Sequence, residues 1–216
     1  MKTWMMALCA AVALSACSST GSSSNEALRQ IAVKENKIVA HFALDGKESP
    51  QKVANGYYRK WLGSTAAGDF VVQDFYSRND QKQSDALKIA KEGNIRAFDN
   101  AHTSGEVTLY YANGARMENS VYEKGQLVGN STAYYPNGTI FSVNQFENGQ
   151  LNGRSQYFYQ DGKLAANFEY VSGRLVNVEA WDQQQQVVTA AKMPELIQAL
   201  QNIDGQNQQE ALRLAQ

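Results

Sequence analysis

The feature that most constrains the fold of this chain is an internal repeat of 24 residues. Three copies align without a gap, and they begin at Gly105, Gly129 and Gly153. Each copy carries a pair of aromatic residues, then Asn-Gly or Asp-Gly, then a further aromatic residue and a second glycine with leucine two positions after it. A period of this length is typical of arrays in which each copy forms one small unit stacked on its neighbours.

The glycines of each copy predict two chain reversals. Asn113-Gly114, Asn137-Gly138 and Asp161-Gly162 favour tight type I′ turns, in which both central residues have positive φ. Lys124-Gly125 and its equivalents mark a second reversal. Aromatic and β-branched residues fill the intervals, which have the length of ordinary strands. We therefore expect a mainly β fold, with a continuous antiparallel β-meander of two strands per repeat over residues 105–176.

This pattern resembles the MORN repeat, and more closely the bacterial variant found in proteins labelled YwqK-type antitoxins. The resemblance covers residues 105–176 and implies a MORN-like array of β-hairpins. It also implies one function, that of a periplasmic immunity or antitoxin-like protein that neutralises a toxin. Hairpin arrays serve many unrelated roles, so the resemblance carries more information about architecture than about activity.

The segments on either side of the array are less regular. Residues 25–104 are expected to hold an N-terminal helix, from Ser24 or Asn25 through Val33, followed by irregular or degenerate β repeats; Phe75-Tyr76 echoes the aromatic pair of the array. Residues 177–216 are expected to hold a partial repeat and two C-terminal helices. The first begins near Pro194, is expected to stop at Asp204-Gly205 and carries an apolar stripe, which predicts that it covers one face of the sheet. The stripe residues are Met193, Leu196, Ile197, Leu200 and Ile203. Docking of a partner protein is the alternative for this stripe.

The first 24 residues have the pattern of an export signal. A lysine and a short apolar run end in Leu14-Ser15-Ala16-Cys17, which resembles a bacterial lipoprotein lipobox. The resemblance implies that residues 1–16 are removed as a signal peptide and that lipid, including palmitate-type acyl chains, is attached to Cys17. Residues 17–24 then form a lipidated cysteine and a flexible serine-rich tether. By the family rule, Ser18 directs the protein to the outer membrane facing the periplasm; display on the cell surface is the alternative.

Little in the sequence indicates catalysis. His41 and His102 lie in different segments, and neither belongs to a recognisable nucleophile or zinc pattern. The 20 basic residues nearly balance the 21 acidic ones, which does not favour nucleic acid as a partner. We therefore expect no enzyme activity, no metal and no cofactor. A hydrolase of envelope glycan, using carboxylates that cannot be paired from sequence, remains the alternative.

The aromatic columns of the array are the candidate binding face. One column contains Tyr111, Tyr135 and Tyr159, and the other contains Tyr122, Phe146 and Tyr170. Adjacent residues such as Tyr110 and Tyr134 must point to the opposite sheet face. The columns either pack across strands and stabilise the array, or leave an open surface for a glycan or an extended peptide. The overall expectation is a membrane-anchored envelope lipoprotein with a non-catalytic binding or structural role, whose partner is an envelope protein, a toxin or a glycan.

Overall fold

The computed structural model describes residues 24–215. The expected signal peptide, the lipidation site Cys17 and residues 17–23 of the tether lie outside the described residues. The elements in chain order are α1 (Ser24–Arg29), β1 (Ile31–Phe42), β2 (Glu48–Ser49), β3 (Tyr57–Thr65), β4 (Phe70–Tyr76), β5 (Leu87–Ile89), β6 (Gly105–Tyr110), β7 (Arg116–Glu123), β8 (Gln126–Tyr134), β9 (Ile140–Glu147), β10 (Gln150–Phe158), β11 (Leu164–Val171), β12 (Arg174–Ala180) and α2 (Met193–Leu214).

The strands form two antiparallel sheets, as expected for a mainly β chain. The first sheet has five strands in the order β2-β1-β3-β4-β5, and the second has seven in the order β12-β11-β10-β9-β8-β7-β6. Each inner strand of the second sheet pairs with the strand that precedes it and the strand that follows it in the chain, and β6 and β12 form the two edges. This is the order of a meander, and it covers the region of the 24-residue repeat.

The outer edge of β6 is closed by the segment that follows β4. The Asp85 N–H donates to the Thr108 carbonyl over 2.9 Å, and the Tyr110 N–H donates to the Gln83 carbonyl over 2.8 Å. These bonds join the two sheets through residues 83–85. The seven-stranded sheet therefore has an occupied edge at β6, while its other edge strand is β12.

The two kinds of turn in the array differ in geometry, and the first kind differs from expectation. At Tyr111–Ala115 only Gly114 has positive φ, and the Gly114 N–H donates to the Tyr111 carbonyl over 2.8 Å. This is a three-residue loop closed by a type I turn and a left-handed glycine, so the expected type I′ turn at Asn113-Gly114 was wrong. The type I′ geometry occurs instead at Lys124-Gly125, with φ of 50° and 83° between the paired residues Glu123 and Gln126.

The C-terminal helix is continuous where the sequence predicted a stop. Helix α2 runs from Met193 to Leu214 and includes Gly205. A glycine inside a helix costs about 1 kcal/mol relative to alanine. Burial of Leu200 before Gly205 and of Ala211 after it compensates for this cost, because both halves of α2 are held against the sheets. The apolar stripe of α2 packs on the second sheet against Tyr135, Phe141 and Phe168.

The N-terminal region also differs from expectation. Helix α1 ends at Arg29, and Ile31 and Val33 belong to β1, where Ile31 pairs with Thr65 of β3. The region that we expected to contain degenerate repeats forms the five-stranded sheet. Its core includes a buried ion pair in which Arg59 Nε and Nη2 donate to the two Asp74 carboxylate oxygens, each over 2.7 Å. Arg59 Nη1 donates to the Ala97 carbonyl, so this buried charge is paired and hydrogen-bonded.

Candidate functional site

The first aromatic column forms a ladder of hydrogen bonds at the turns of the array. Tyr111 Oη donates to the Tyr134 carbonyl over 2.6 Å, and Tyr135 Oη donates to the Phe158 carbonyl over 2.7 Å. Tyr159 Oη continues the series to the Trp181 carbonyl over 2.7 Å. Each tyrosine therefore ties its own turn to the strand end of the next repeat. We call this series the tyrosine ladder.

The tyrosine ladder starts before the three aligned repeats. Tyr76 Oη donates to the Tyr110 carbonyl over 2.9 Å, which is the bond expected of one further unit. The turn that follows Tyr76 is one residue longer than those of the array, because the Tyr76 N–H donates to the Gln81 carbonyl rather than to a residue four positions on. The sequence signal for this link was the echo Phe75-Tyr76, and the longer loop explains why the echo has irregular spacing.

Burial shows that the tyrosine ladder is a packing feature. Tyr111 is 2% exposed and Tyr135 is 3% exposed, so neither ring presents a face to solvent. Burial raises the pKa of Tyr135 to about 12 and raises the pKa of Tyr76 further, which keeps both phenols neutral donors. Among the alternatives for the first column, the structure places Tyr111 and Tyr135 in the core, and Tyr159 half-buried beside α2.

The second aromatic column lies on the sheet face that α2 covers, which we call the helix face. The three residues of this column lie in two different environments. Tyr122 packs against the core between the two sheets, and its hydroxyl accepts a hydrogen bond from Asn100 Nδ2 over 3.1 Å. Phe146 and Tyr170 lie farther along the sheet and line a groove beside α2.

This groove, which we call the helix groove, lies between the helix face and one flank of α2. Its volume is about 610 Å³, which is within the range of small-ligand and peptide sites. One wall is formed by Ile197, Leu200 and Gln201 of α2. Apolar side chains that line the sheet side include Leu127, Phe146, Tyr157, Phe168, Tyr170 and Leu175.

A polar strip crosses the floor of the helix face. Ser120 Oγ lies 2.8 Å from Ser131 Oγ, and both hydroxyls hydrogen-bond to the Glu118 carboxylate. One repeat further on, Asn144 lies directly opposite Ser155 in the β9–β10 register. Asn144 Oδ1 and Ser155 Oγ are buried and have no hydrogen-bond partner in the described part of the chain. Asn144 lines the helix groove, whereas Ser155 is fully buried and does not, so the mainly apolar lining includes one side chain whose hydrogen-bonding capacity is partly unused.

The opposite face of the second sheet carries the other aromatic residue of each pair. The Lys82 Nζ lies 3.9 Å from the centre of the Tyr110 ring, and the Arg116 guanidinium lies 5.6 Å from the centre of the Tyr134 ring. Tyr110 Oη also donates to Asp85 Oδ2 over 2.9 Å. Cations therefore lie over the rings of Tyr110 and Tyr134, whereas α2 leaves Phe146 and Tyr170 beside a groove.

The two histidines lie in separate segments of the chain, and neither lines the helix groove. His41 is on β1, where its Nδ1 is buried without a hydrogen-bond partner, and His102 is in the loop before β6. Within residues 24–215, no group of three or more His, Cys, Asp or Glu side chains is placed to hold a metal ion. Glu118 is the one carboxylate that lines the helix groove among the described residues, whereas glycoside hydrolysis ordinarily requires a pair.

Sequence reasoning identified Phe146 and Tyr170 but missed the polar strip. Serine and asparagine at strand positions give no distinctive signal, because which sheet face they occupy depends on the bulges between β7 and β8 and between β9 and β10. Neither helix within the described residues is both long enough and apolar enough to cross a bilayer. No protein-family model matches the chain, and no curated protein matches it.

Proposed function

We propose that this protein is an envelope lipoprotein, anchored through Cys17, whose seven-stranded sheet is a MORN-like hairpin array that binds a polypeptide partner without catalysis. The anchor rests on the lipobox resemblance of Leu14-Ser15-Ala16-Cys17 and on the serine-rich tether that follows it. The array rests on the 24-residue period and on the meander order of β6–β12.

The observation that carries the binding role is the helix groove. Apolar side chains of Phe146, Tyr170 and Leu175 line it together with Asn144, whose Oδ1 has no hydrogen-bond partner within the described residues. Exposed apolar surface next to unused hydrogen-bonding groups suits a polypeptide segment, because apolar side chains and main-chain amides of the partner complement the two kinds of lining. Leu175 is 42% exposed, which leaves this end of the groove accessible.

Site-specific photo-crosslinking in intact cells tests this role. A photoreactive phenylalanine derivative at Phe146 is expected to give a discrete crosslinked protein, and the same substitution at Tyr134, on the opposite face, is expected to give none. Leu175→Glu should abolish the Phe146 adduct, because it places a charge in the apolar lining.

Crosslinking from Tyr134 with none from Phe146 would contradict the assignment of the helix groove. Equal adducts in the Leu175→Glu variant would contradict it as well. An immunity function, which the repeat resemblance implies, is one form of the same binding role. It predicts that the protein crosslinked at Phe146 is a toxin and that deletion of this chain sensitises the cell to that toxin.

A further inference from the structure

A second groove lies on the other flank of α2 from the helix groove. It is bounded by α2 and by the turn tips of the array, where Tyr135 and Tyr159 begin their loops. Its volume is about 690 Å³. We call it the amide groove, because its lining contains the side-chain amides of Gln160, Gln183, Gln198, Asn202, Gln206 and Asn207.

Asn207 shows that the amide groove has unused hydrogen-bonding capacity. Its side chain is 5% exposed, and its Nδ2 has no hydrogen-bond partner within the described residues. A buried amide donor without an acceptor is costly, and a ligand oxygen would remove that cost. On the surface of the helix, Gln198 Nε2 donates to Asn202 Oδ1 over 3.2 Å, which orients this pair and leaves Gln198 Oε1 and Asn202 Nδ2 for further hydrogen bonds.

The polar groups that the amide groove offers to a ligand belong to side chains rather than to the main chain. The turn tips use their backbone internally: the Tyr135 N–H donates to the Thr139 carbonyl over 2.8 Å, and the Tyr159 N–H donates to the Lys163 carbonyl over 2.9 Å. The main chain of α2 is committed to its own helix. The groove therefore offers no free strand edge along which an extended peptide could pair.

The charge and the chemistry of the lining select a type of ligand. Each side-chain amide offers a donor and an acceptor side by side, and a sugar hydroxyl likewise both donates and accepts. Glu195 is the one charged residue among the lining residues, and its negative charge disfavours an anionic ligand. The half-buried ring of Tyr159 adds an apolar surface of the kind that sugar rings contact.

We propose that the amide groove is a binding site for a neutral, hydroxyl-rich glycan of about two sugar units. The proposal is independent of the polypeptide partner of the helix groove, since the two grooves lie on opposite flanks of α2. The size agrees with a cavity volume typical of small-molecule sites.

The test is a nuclear magnetic resonance titration of the full chain in detergent with cellobiose and with N,N′-diacetylchitobiose. At least one of the two is expected to bind. The double variant Gln198→Ala with Asn202→Ala should weaken that binding about tenfold or more, because two exposed amides of the lining are lost. Gln209→Ala is the control: it removes the same kind of exposed side chain from α2 at a position that lines neither groove, and it should leave the affinity unchanged.

Two further probes test whether hydroxyl donors and the absence of charge determine binding. The peracetylated disaccharide, which lacks hydroxyl donors, and an anionic uronic-acid disaccharide are both expected to bind more weakly than the neutral sugar. The proposal is overturned if neither neutral disaccharide binds at millimolar concentration, or if the double variant and Gln209→Ala bind equally well. Tighter binding of an uncharged extended peptide than of either sugar would also overturn it.

Discussion

Replacement of Tyr135 by phenylalanine tests whether the tyrosine ladder stabilises the array. The hydroxyl of Tyr135 donates to the Phe158 carbonyl over 2.7 Å, and the side chain is 3% exposed. Removal of the hydroxyl leaves that carbonyl without its donor, so we expect a loss of about 1–2 kcal/mol in the free energy of unfolding. For a chain of this length, that loss corresponds to a decrease of about 3–6 °C in Tm.

The assay is thermal and urea unfolding of the variant beside the unaltered protein. Tyr170→Phe is the matched control, because Tyr170 lies on the same sheet but its hydroxyl makes no hydrogen bond within the described residues; its Tm should change by about 1 °C or less. Equal decreases in both variants would refute the reasoning, since the loss would not then depend on the ladder bond. An unchanged Tm for Tyr135→Phe would refute it too.

Three further predictions concern the anchor, the turns and the pH dependence of stability. Cys17→Ser should move the protein from the membrane fraction to the soluble fraction without changing its far-ultraviolet circular dichroism; persistent membrane association would contradict lipidation. Gly125→Ala should lower the Tm more than Gly114→Ala. Both glycines have positive φ, 83° and 84°, so the backbone strain of the two variants is similar. However, a Cβ at Gly125 would lie 2.0 Å from the Ala101 carbonyl oxygen, whereas a Cβ at Gly114 would have no atom within 4 Å. Equal losses would show that the close approach to Ala101 is not limiting. Burial raises the pKa of Tyr135 from 10.0 to about 12, so its contribution to the free energy of unfolding is fully present below pH 10 and is lost as the pH rises through 12. Urea unfolding between these two pH values should show that decline in stability, and Tyr135→Phe should make the decline smaller.

The repeat pattern was sufficient to predict the strands of the array and their antiparallel order. It was insufficient for the turn types, since Asn113-Gly114 suits several turns and the number of loop residues decides among them. Lys124-Gly125 has lysine where asparagine or aspartate is typical of a type I′ turn, yet its two-residue loop has positive φ at both positions. Loop length depends on which strand residues pair, and that register is set by the whole sheet.

The continuous α2 illustrates a second limit of prediction from the sequence. Gly205 is a reasonable stop signal in an isolated helix, but Leu200 packs on the second sheet and Leu212 packs against the core of the first, which favours one helix over two. The Arg59–Asp74 pair illustrates a third limit, because the two residues are distant in sequence and meet only through the β3–β4 register.

The candidate site was predictable in part. Alternation along strands correctly separated Tyr134 from Tyr135, but it could not indicate which of the two faces α2 covers. The same uncertainty hid the difference between buried Tyr135 and groove-lining Phe146, because both recur with the period of 24 residues. The amides of α2 gave no signal, since glutamine and asparagine on an amphipathic helix are ordinary surface residues.

The central claim is that the helix groove is occupied by a partner when the protein is held in the envelope. Under the proposed processing, Cys9 is removed with the signal peptide and the Cys17 sulfur carries lipid, so Gln201→Cys introduces the single free thiol on the groove wall. Gln209→Cys introduces one at an exposed position of α2 that does not line the groove. The measurement is the rate of maleimide labelling in isolated envelopes and in the purified protein. The account predicts that the thiol at position 201 reacts much more slowly in envelopes than after purification, while the thiol at position 209 reacts at similar rates in both. Equal rates at position 201 in both preparations would contradict it.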